Sequence, residues 1–299
     1  MAANFEGNAG NEGNEGNAGN AGNSSSASGG WFFADRVDLP FVTVTDGASN
    51  PISDQRIDVA TYPLRNWSAD WYAWLALTEF VGSNWQGFNL LPSWADPSPP
   101  YWDSVIAHNH IREELDDLVT AAQDERADAL DEILSQADEF TSYFMNLMTT
   151  RPTAYPGTFR VLNIASLVAL FVSMYYKGKY RRPRPSELCP ALLPPIVVPG
   201  HASFPSGHST QAHLMAFCMG DVFINLAQHQ PMLDDLGVLA DRIARNREIA
   251  GLHYPSDSQA GVALAGQIQP LLSTNSWYSS ALAAARQEWD PNYASNQYP

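Results

Sequence analysis

Apolar residues recur three and four positions apart through most of the chain beyond residue 70, which is the spacing of a helix with one buried face. Prolines lie between these segments or near their ends. The predicted helices cover residues 71–80, 111–122, 130–140, 158–177, 207–229, 233–250 and 257–274. No sustained run of alternating apolar and polar residues indicates a β-strand, so the pattern predicts an all-α helical bundle.

The N-terminal part of the chain has a different character. Residues 7–23 repeat Gly-Asn-Ala or Gly-Asn-Glu with a period of three, and a serine-rich stretch follows. The repeat lacks the proline of a collagen-like helix, so residues 1–30 are predicted to form a disordered tail. Residues 31–67 contain only short strand-like runs such as 41–44, which indicates an irregular arm. We expect a single helical domain over residues 31–299.

Composition and charge narrow the class of protein. The chain has 299 residues, 45% of them hydrophobic, which is enough for a sizeable core. Acidic residues number 32 and basic residues 16, and the resulting charge of −16 argues against nucleic acid or an anionic membrane as a partner. Cys189 and Cys218 have no zinc-binding spacing and are expected to pack inside. The expected partner is a small molecule, and homo-oligomerisation is left open.

The sequence also predicts the cellular compartment of the protein. The N-terminus has neither the basic nor the apolar region of a secretory signal, so we expect a cytoplasmic protein, with export by another route left open. The longest apolar run, residues 161–176, contains one Asn and two Ser and is shorter than the roughly 18 residues of a membrane span. It is predicted to be a buried helix, and no membrane span is expected.

The first of three polar clusters is KGKYRRPRP, residues 177–185. It holds five of the 16 basic residues of an otherwise acidic chain, directly after the predicted buried helix. Alone, it is explained as well by a solvated loop whose cations offset the negative end of the helix dipole as by an anion site.

The second cluster is FPSGHSTQAH, residues 204–213, which opens an apolar helix. Ser206 is placed to cap the helix, and Gly207 allows a ligand to approach the first backbone N–H groups. Unpaired amides and the helix dipole both attract an anion, and His208 follows in the first turn. Alone, the pattern also describes an ordinary helix cap, and His213 is expected to be an ordinary helix histidine.

The third cluster is NREIAGLHYPSD, residues 246–257. His253 lies in the turn between two predicted helices, and Asp257 follows four residues later. A carboxylate at that separation can accept the Nδ1 proton and direct Nε2 toward a substrate as a nucleophile. A structural histidine bonded to a capping aspartate is the alternative.

Together the three clusters resemble the signature of the superfamily of type 2 phosphatidic acid phosphatases, bacterial acid phosphatases and vanadium haloperoxidases. That signature reads Lys, six residues, Arg-Pro; then Pro-Ser-Gly-His; then Ser-Arg, five residues, His, three residues, Asp. The matching residues are Lys177, Arg184, Pro185, Pro205, Ser206, Gly207, His208, Arg247, His253 and Asp257. Asn246 replaces the serine of the third block. The cations off the pattern are Lys179, Arg181, Arg182 and Arg245. The signature spans residues 177–257, and the resemblance implies a helical bundle of the haloperoxidase and acid phosphatase type.

The resemblance also implies roles for individual residues. The phosphoryl oxygens would be held by Lys177, Arg184, Ser206, Gly207 and Arg247. His253 would attack phosphorus and form a phosphohistidine, while His208 would protonate the leaving group and later activate water. Asp257 would orient His253. The implied activity is that of a soluble phosphatase of phosphate monoesters that needs no cofactor.

Two other functions fit the same signature. A vanadium-dependent haloperoxidase would hold vanadate on His253 and use hydrogen peroxide to oxidise halide. Members with that activity usually carry Trp three places before the lysine, where this chain has Met174. In the other direction, His201 lies seven places before His208, where bromoperoxidases also have a histidine, and it is expected to neighbour the site. A non-catalytic oxyanion-binding protein is the second alternative. An oriented nucleophile argues against it, because binding alone needs only the cations.

Overall fold

The computed structural model describes residues 61–224 and 226–290. The predicted tail over residues 1–30 and most of the predicted irregular arm, including residues 41–44, lie outside the described residues. The single domain over residues 31–299 stays a prediction.

The described residues form helices joined by loops and contain no β-strand, which confirms the predicted all-α class. The α-helices are α1 Ala69–Phe80, α2 Val105–Asp124, α3 Arg126–Asp138, α4 Thr141–Leu147, α5 Pro156–Tyr180, α6 Pro185–Leu188, α7 Gly207–Phe223, α8 Gln230–Ile249, α9 Pro255–Leu272 and α10 Ser276–Glu288. The helix predicted over residues 207–229 ends earlier, at Phe223. Helix α10 was not predicted, because its buried face consists largely of alanine and gives a weak apolar pattern.

Helix α5 forms the centre of the bundle. It packs against α1, α7 and α10, while α7 also packs against α8 and α9. Most of its side chains are buried, so its sequence is apolar on nearly every face. Gly157 at its start is required by close packing, since a Cβ there would lie 2.6 Å from the backbone nitrogen of Ala285 in α10.

The helical run Pro156–Leu188, which contains α5 and α6, is long and apolar enough to cross a membrane by length and composition, with a mean hydropathy of 1.6. The expectation that this segment is too short for a span was therefore wrong, because the helix extends on both sides of the apolar run. Of the apolar window, 72% is buried inside the bundle, as expected for a core helix. The absence of a membrane span stays a prediction.

Helices α7 and α9 approach each other closely where both begin. A Cβ added to Gly261 would lie 2.7 Å from Ser209 Cβ and 2.9 Å from the carbonyl oxygen of Ser206, so only glycine fits without displacement. This contact holds the first turn of α7, which carries the second motif block, against α9, which begins two residues after His253.

Candidate active site

His253 and Asp257 form a buried pair at the start of α9. Helix α8 ends at Ile249, and Gly251 turns the chain with a φ of 76°, a conformation that favours glycine. His253 Nδ1 lies 3.1 Å from Asp257 Oδ2, and neither side chain is exposed to solvent. The predicted contact between these two motif residues is therefore present.

The carboxyl group of Asp257 is held in its ionised form. Burial alone raises its pKa, but the Arg182 guanidinium and the hydrogen bond from His253 outweigh burial and lower the pKa to about 2. Arg182 Nη1 donates to Asp257 Oδ1 at 2.7 Å, and the backbone N–H of Tyr254 donates to Oδ2 at 3.1 Å. An ionised carboxylate can only accept, so His253 carries its proton on Nδ1.

Arg184 contacts the other nitrogen of the same imidazole. Its Nη1 lies 3.2 Å from His253 Nε2 and donates to the carbonyl oxygen of Leu252 at 2.9 Å. Because a guanidinium is only a donor, this contact places the lone pair of His253 on Nε2. Arg184 Nε also donates to the carbonyl oxygen of His201 at 3.0 Å, and its Nη2 lies 3.2 Å from His201 Nδ1. His201 therefore borders the site through Arg184.

Lys177 lies near the C-terminal end of α5 and is almost fully buried. Its Nζ donates to the carbonyl oxygens of Ala202 and Ser203 at 3.0 and 2.9 Å. The first motif block thus contacts the segment that leads into the second block. A buried ammonium ion is costly unless anions or carbonyl dipoles surround it, so these two carbonyl contacts stabilise Lys177 in its buried position.

Ser206 and Gly207 open helix α7 as the sequence predicts. Ser206 is the N-cap, and its Oγ accepts from the backbone N–H of Ser209 at 3.3 Å. The backbone N–H of Ser206 donates to the carbonyl oxygen of Asp257 at 3.0 Å, so the second and third blocks are joined directly. Gly207 is the first residue of the helix and is buried.

His208 and Arg247 both contact the last turns of α3, outside the signature. His208 Nε2 donates to the carbonyl oxygen of Gln136 at 3.0 Å, and Arg247 Nη2 donates to that of Ile133 at 2.8 Å. Asn246 Nδ2 donates to Gln136 Oε1 at 2.9 Å, which ties α8 to the same turn. Since a carbonyl oxygen only accepts, the contact of His208 with the Gln136 carbonyl assigns a proton to Nε2 of His208.

The contacts of the predicted residues fall into two sets. Arg184, His253, Asp257 and Ser206 form a continuous chain of direct contacts. Lys177 joins them through the backbone of residues 202–203. The backbone of α3 links His208 with Arg247.

Other described residues complete the site or lie outside it. Arg182 was assigned off the pattern, yet it is fully buried against Asp257. Charge alone does not distinguish it from the other basic residues of the first cluster, because its partners are distant in sequence. His213 contacts Ser209 and Asp241 and ties α7 to α8, in keeping with its predicted ordinary role.

Comparison with known proteins bears on the family. No protein-family model matches the chain. Two curated relatives, both decaprenylphosphoryl-5-phosphoribose phosphatases of Mycobacterium tuberculosis (strains CDC 1551 / Oshkosh and ATCC 25618 / H37Rv), are 32% identical over 114 residues, or 38% of this chain. The chain spans 59% of the length of these relatives. A transmembrane PAP2 type phosphatidylglycerolphosphate phosphatase from Bacillus subtilis is a similar solved structure, with 18% identity and a TM-score of 0.43 over 57% of this chain and 86% of the other.

The described residues form an all-helical protein in which the three motif blocks contact one another, Arg184 with His253 and the backbone N–H of Ser206 with the carbonyl oxygen of Asp257. The chain is similar in sequence to curated phosphatases over 114 residues, and its three motif blocks resemble the signature of the type 2 phosphatidic acid phosphatase superfamily.

Proposed function

We propose that this protein hydrolyses phosphate monoesters through a phosphohistidine intermediate. One observation carries the proposal. His253 is held at both ring nitrogens, by Asp257 at Nδ1 and by Arg184 at Nε2, in the tautomer that directs the Nε2 lone pair toward a guanidinium. An oxyanion bound to that guanidinium would meet the lone pair of the nucleophile.

The cations provide the binding energy for the phosphoryl group. Lys177, Arg184 and Arg247 are all nearly fully buried, so few water molecules weaken their interaction with an anion. The hydroxyl of Ser206 and the N–H of Gly207 at the positive end of α7 add neutral donors. Donors that are fixed before the substrate arrives stabilise the charge that develops in the transition state.

The reaction would proceed in two displacements. In the first, His253 Nε2 forms a bond to phosphorus while the bond from phosphorus to the leaving oxygen breaks, and His208 gives that oxygen a proton. In the second, water attacks phosphorus, His208 takes its proton, and the nitrogen–phosphorus bond breaks to release inorganic phosphate. Because Nε2 of His208 is engaged with Gln136, the transferred proton is the one on Nδ1.

The curated relatives support the substrate class. They are named as phosphatases of decaprenylphosphoryl-5-phosphoribose, and the match covers 114 residues of this chain. We extend to this chain the removal of a phosphate group from an ester, and we propose that the phosphatase reaction needs no cofactor.

A second candidate function is a vanadium-dependent haloperoxidase. The position of His201, 3.2 Å from Arg184 Nη2, is the observation that favours it, because it adds an imidazole at the edge of the oxyanion site. The residues present fit vanadate: Lys177, Arg184 and Arg247 would hold its oxygens, and His253 Nε2 would bind the vanadium. Bound vanadate would activate hydrogen peroxide for oxidation of halide.

A paired assay decides between these functions. One reaction contains the purified protein and an aryl phosphate with a chelator, and the other contains vanadate, hydrogen peroxide and bromide. We expect turnover in the first, with loss of that turnover in His253→Ala. Turnover in the second reaction alone would establish the haloperoxidase. Tight phosphate binding without turnover in either reaction would indicate a binding protein and contradict both proposals.

A further inference from the structure

Arg182 lies directly behind the Asp257 carboxylate. It is fully buried, and its Nη1 donates to both Asp257 Oδ1 and Ser256 Oγ at 2.7 Å. Its Nη2 donates to Glu114 Oε2 at 2.6 Å. One planar guanidinium therefore joins two carboxylates, one from α9 and one from α2, an arrangement that lysine could not reproduce.

Aromatic rings hold the guanidinium in place. Its central carbon lies 3.7 Å from the centre of the Tyr254 ring, 4.8 Å from that of Trp102 and 5.5 Å from that of Trp94. These contacts desolvate the cation and restrict its side-chain torsions, so its hydrogen bonds are stronger and better directed than on a surface.

Glu114 extends the cluster to helix α2. Its Oε1 accepts from the backbone N–H of Ser256 at 2.7 Å, and its Oε2 accepts from Ser256 Oγ at 2.9 Å. A carboxylate near the amides of the first helical turn is favoured by the dipole of α9. Glu114 thus holds the first turn of α9, the turn from which Asp257 reaches His253.

We propose that Arg182 and Glu114 are positioning residues of the reaction, which fix the Asp257 carboxylate so that His253 keeps its proton on Nδ1 and presents Nε2. This inference rests on the proposed function, in which His253 is the nucleophile. It also assigns helix α2, which lies outside the three motif blocks, a part in the reaction. Arg182 and Glu114 bond to each other and to Ser256 and Asp257 at the start of α9, so their effect on His253 passes through Asp257.

The charge of the cluster suits this role. Arg182 contributes one positive charge, and Asp257 and Glu114 one negative charge each, so the three carry a net charge of −1 beside the neutral imidazole. Phosphorylation of Nε2 makes the ring more positive, and a buried negative cluster at Nδ1 stabilises that charge. A purely structural ion-pair network is the competing explanation, and it predicts changes in stability without changes in the chemistry of His253.

The test uses Arg182→Lys and Glu114→Gln in the full chain, with Arg181→Lys and Glu113→Gln as neighbouring exposed controls. In the first two variants we expect kcat for an aryl phosphate to fall about 10- to 100-fold, the loss typical of residues that orient a reacting group through another. KM should change by less than about threefold, since the phosphate contacts remain. The controls should behave like the parent.

A pH profile adds a readout that a structural role would not move. The groups facing Asp257 are Arg182, His253 and the backbone N–H of Tyr254, with Glu114 beyond Arg182. Weakening the Arg182 contact leaves burial to raise the pKa of Asp257, so the acidic limb of kcat should shift to higher pH in Arg182→Lys. Unchanged kcat and an unchanged acidic limb in both folded variants would overturn the inference.

A measurement that does not depend on turnover separates this inference from the proposed function. Nitrogen-15 NMR of histidine-labelled protein, with His253 assigned by its substitution, reports which ring nitrogen carries the proton. We expect the Nδ1–H tautomer in the parent and a mixture in Arg182→Gln and Glu114→Gln. If the parent lacks phosphatase activity but the tautomer still changes from the parent to the variants, the proposed function fails and the positioning of His253 stands. An unchanged tautomer in Glu114→Gln and Arg182→Gln overturns the positioning role whatever the activity.

Discussion

Arg184 and Asp257 contact opposite nitrogens of one imidazole, with Arg184 Nη1 3.2 Å from His253 Nε2 and Asp257 Oδ2 3.1 Å from Nδ1. The two contacts assign the same tautomer, because the first partner can only donate and the second can only accept. A ring bonded only to a helix-capping aspartate would not need the arginine. The contact with Arg184 therefore supports the proposed role of His253 as a nucleophile over that of a structural histidine.

Replacement of His253, the proposed nucleophile, should abolish turnover. In His253→Ala we expect the kcat for an aryl phosphate to fall by about 10³-fold or more, because the covalent step is lost. Helical content, measured by circular dichroism, should be retained, since most packing contacts between the helices lie away from His253. The exposed His108→Ala is the matched control and should keep the parent rate. Activity near that of the parent in His253→Ala would refute the assignment.

Arg184 should not be replaceable by lysine. Its guanidinium reaches Leu252, His253 and His201 together, and an ammonium ion cannot make these contacts from one position. In Arg184→Lys we expect kcat/KM to fall about 100-fold, the loss typical of one oxyanion donor. Steady-state kinetics beside Arg181→Lys, whose arginine is exposed, provides the comparison. Equal values in both variants would show that Arg184 acts only as a charge.

Vanadate should bind tightly and depend on His253. We expect orthovanadate to compete with phosphate substrates at micromolar concentrations or below, since it adopts the geometry of a phosphoryl group in transfer. Isothermal titration should show about 100-fold weaker binding in His253→Ala, because the bond to nitrogen is lost. Insensitivity of the parent to vanadate would contradict both candidate functions.

Asp257 should make stability depend on pH in the acid range. Its folded pKa of about 2 lies below the ordinary 3.8, so its contribution is complete above pH 3.8 and is lost as the pH falls toward 2. Urea unfolding at pH 7 and at the lowest pH where the fold persists should show a larger acid loss for the parent than for Asp257→Asn. Other carboxylates cancel in that difference. Equal losses would show that Asp257 is not stabilised as a carboxylate.

Gly261 should tolerate no side chain. In Gly261→Ala the Cβ would meet Ser209 and the Ser206 carbonyl, so we expect a loss of about 1–3 kcal/mol in the free energy of unfolding. Gly237 of α8 has open space at the same position, and Gly237→Ala should raise that free energy by about 0.5–1 kcal/mol. Urea unfolding of both variants checks the prediction. A stabilising Gly261→Ala would mean that α7 and α9 are not in close contact.

The accuracy of the sequence-based predictions follows from the range of the interactions involved. Helices with a clear apolar face were predicted well, whereas α10 was missed because alanine marks its buried face poorly. The end of α7 at Phe223 was also missed, since the apolar pattern continues past it. In the site, the contact between His253 and Asp257 was predictable because both residues lie at one helix start, four positions apart.

The helical class, the three motif blocks and the pairing of His253 with Asp257 could all be predicted from the sequence. Each depends on neighbours within a few positions, where chain geometry limits the possible contacts. Other contacts are visible only in the three-dimensional fold: Arg182 contacts Asp257 from 75 positions away, Glu114 joins them, and the Gln136 carbonyl contacts His208 from 72 positions away. Such contacts arise from the packing of separate helices, and no local pattern records which residues that packing brings together.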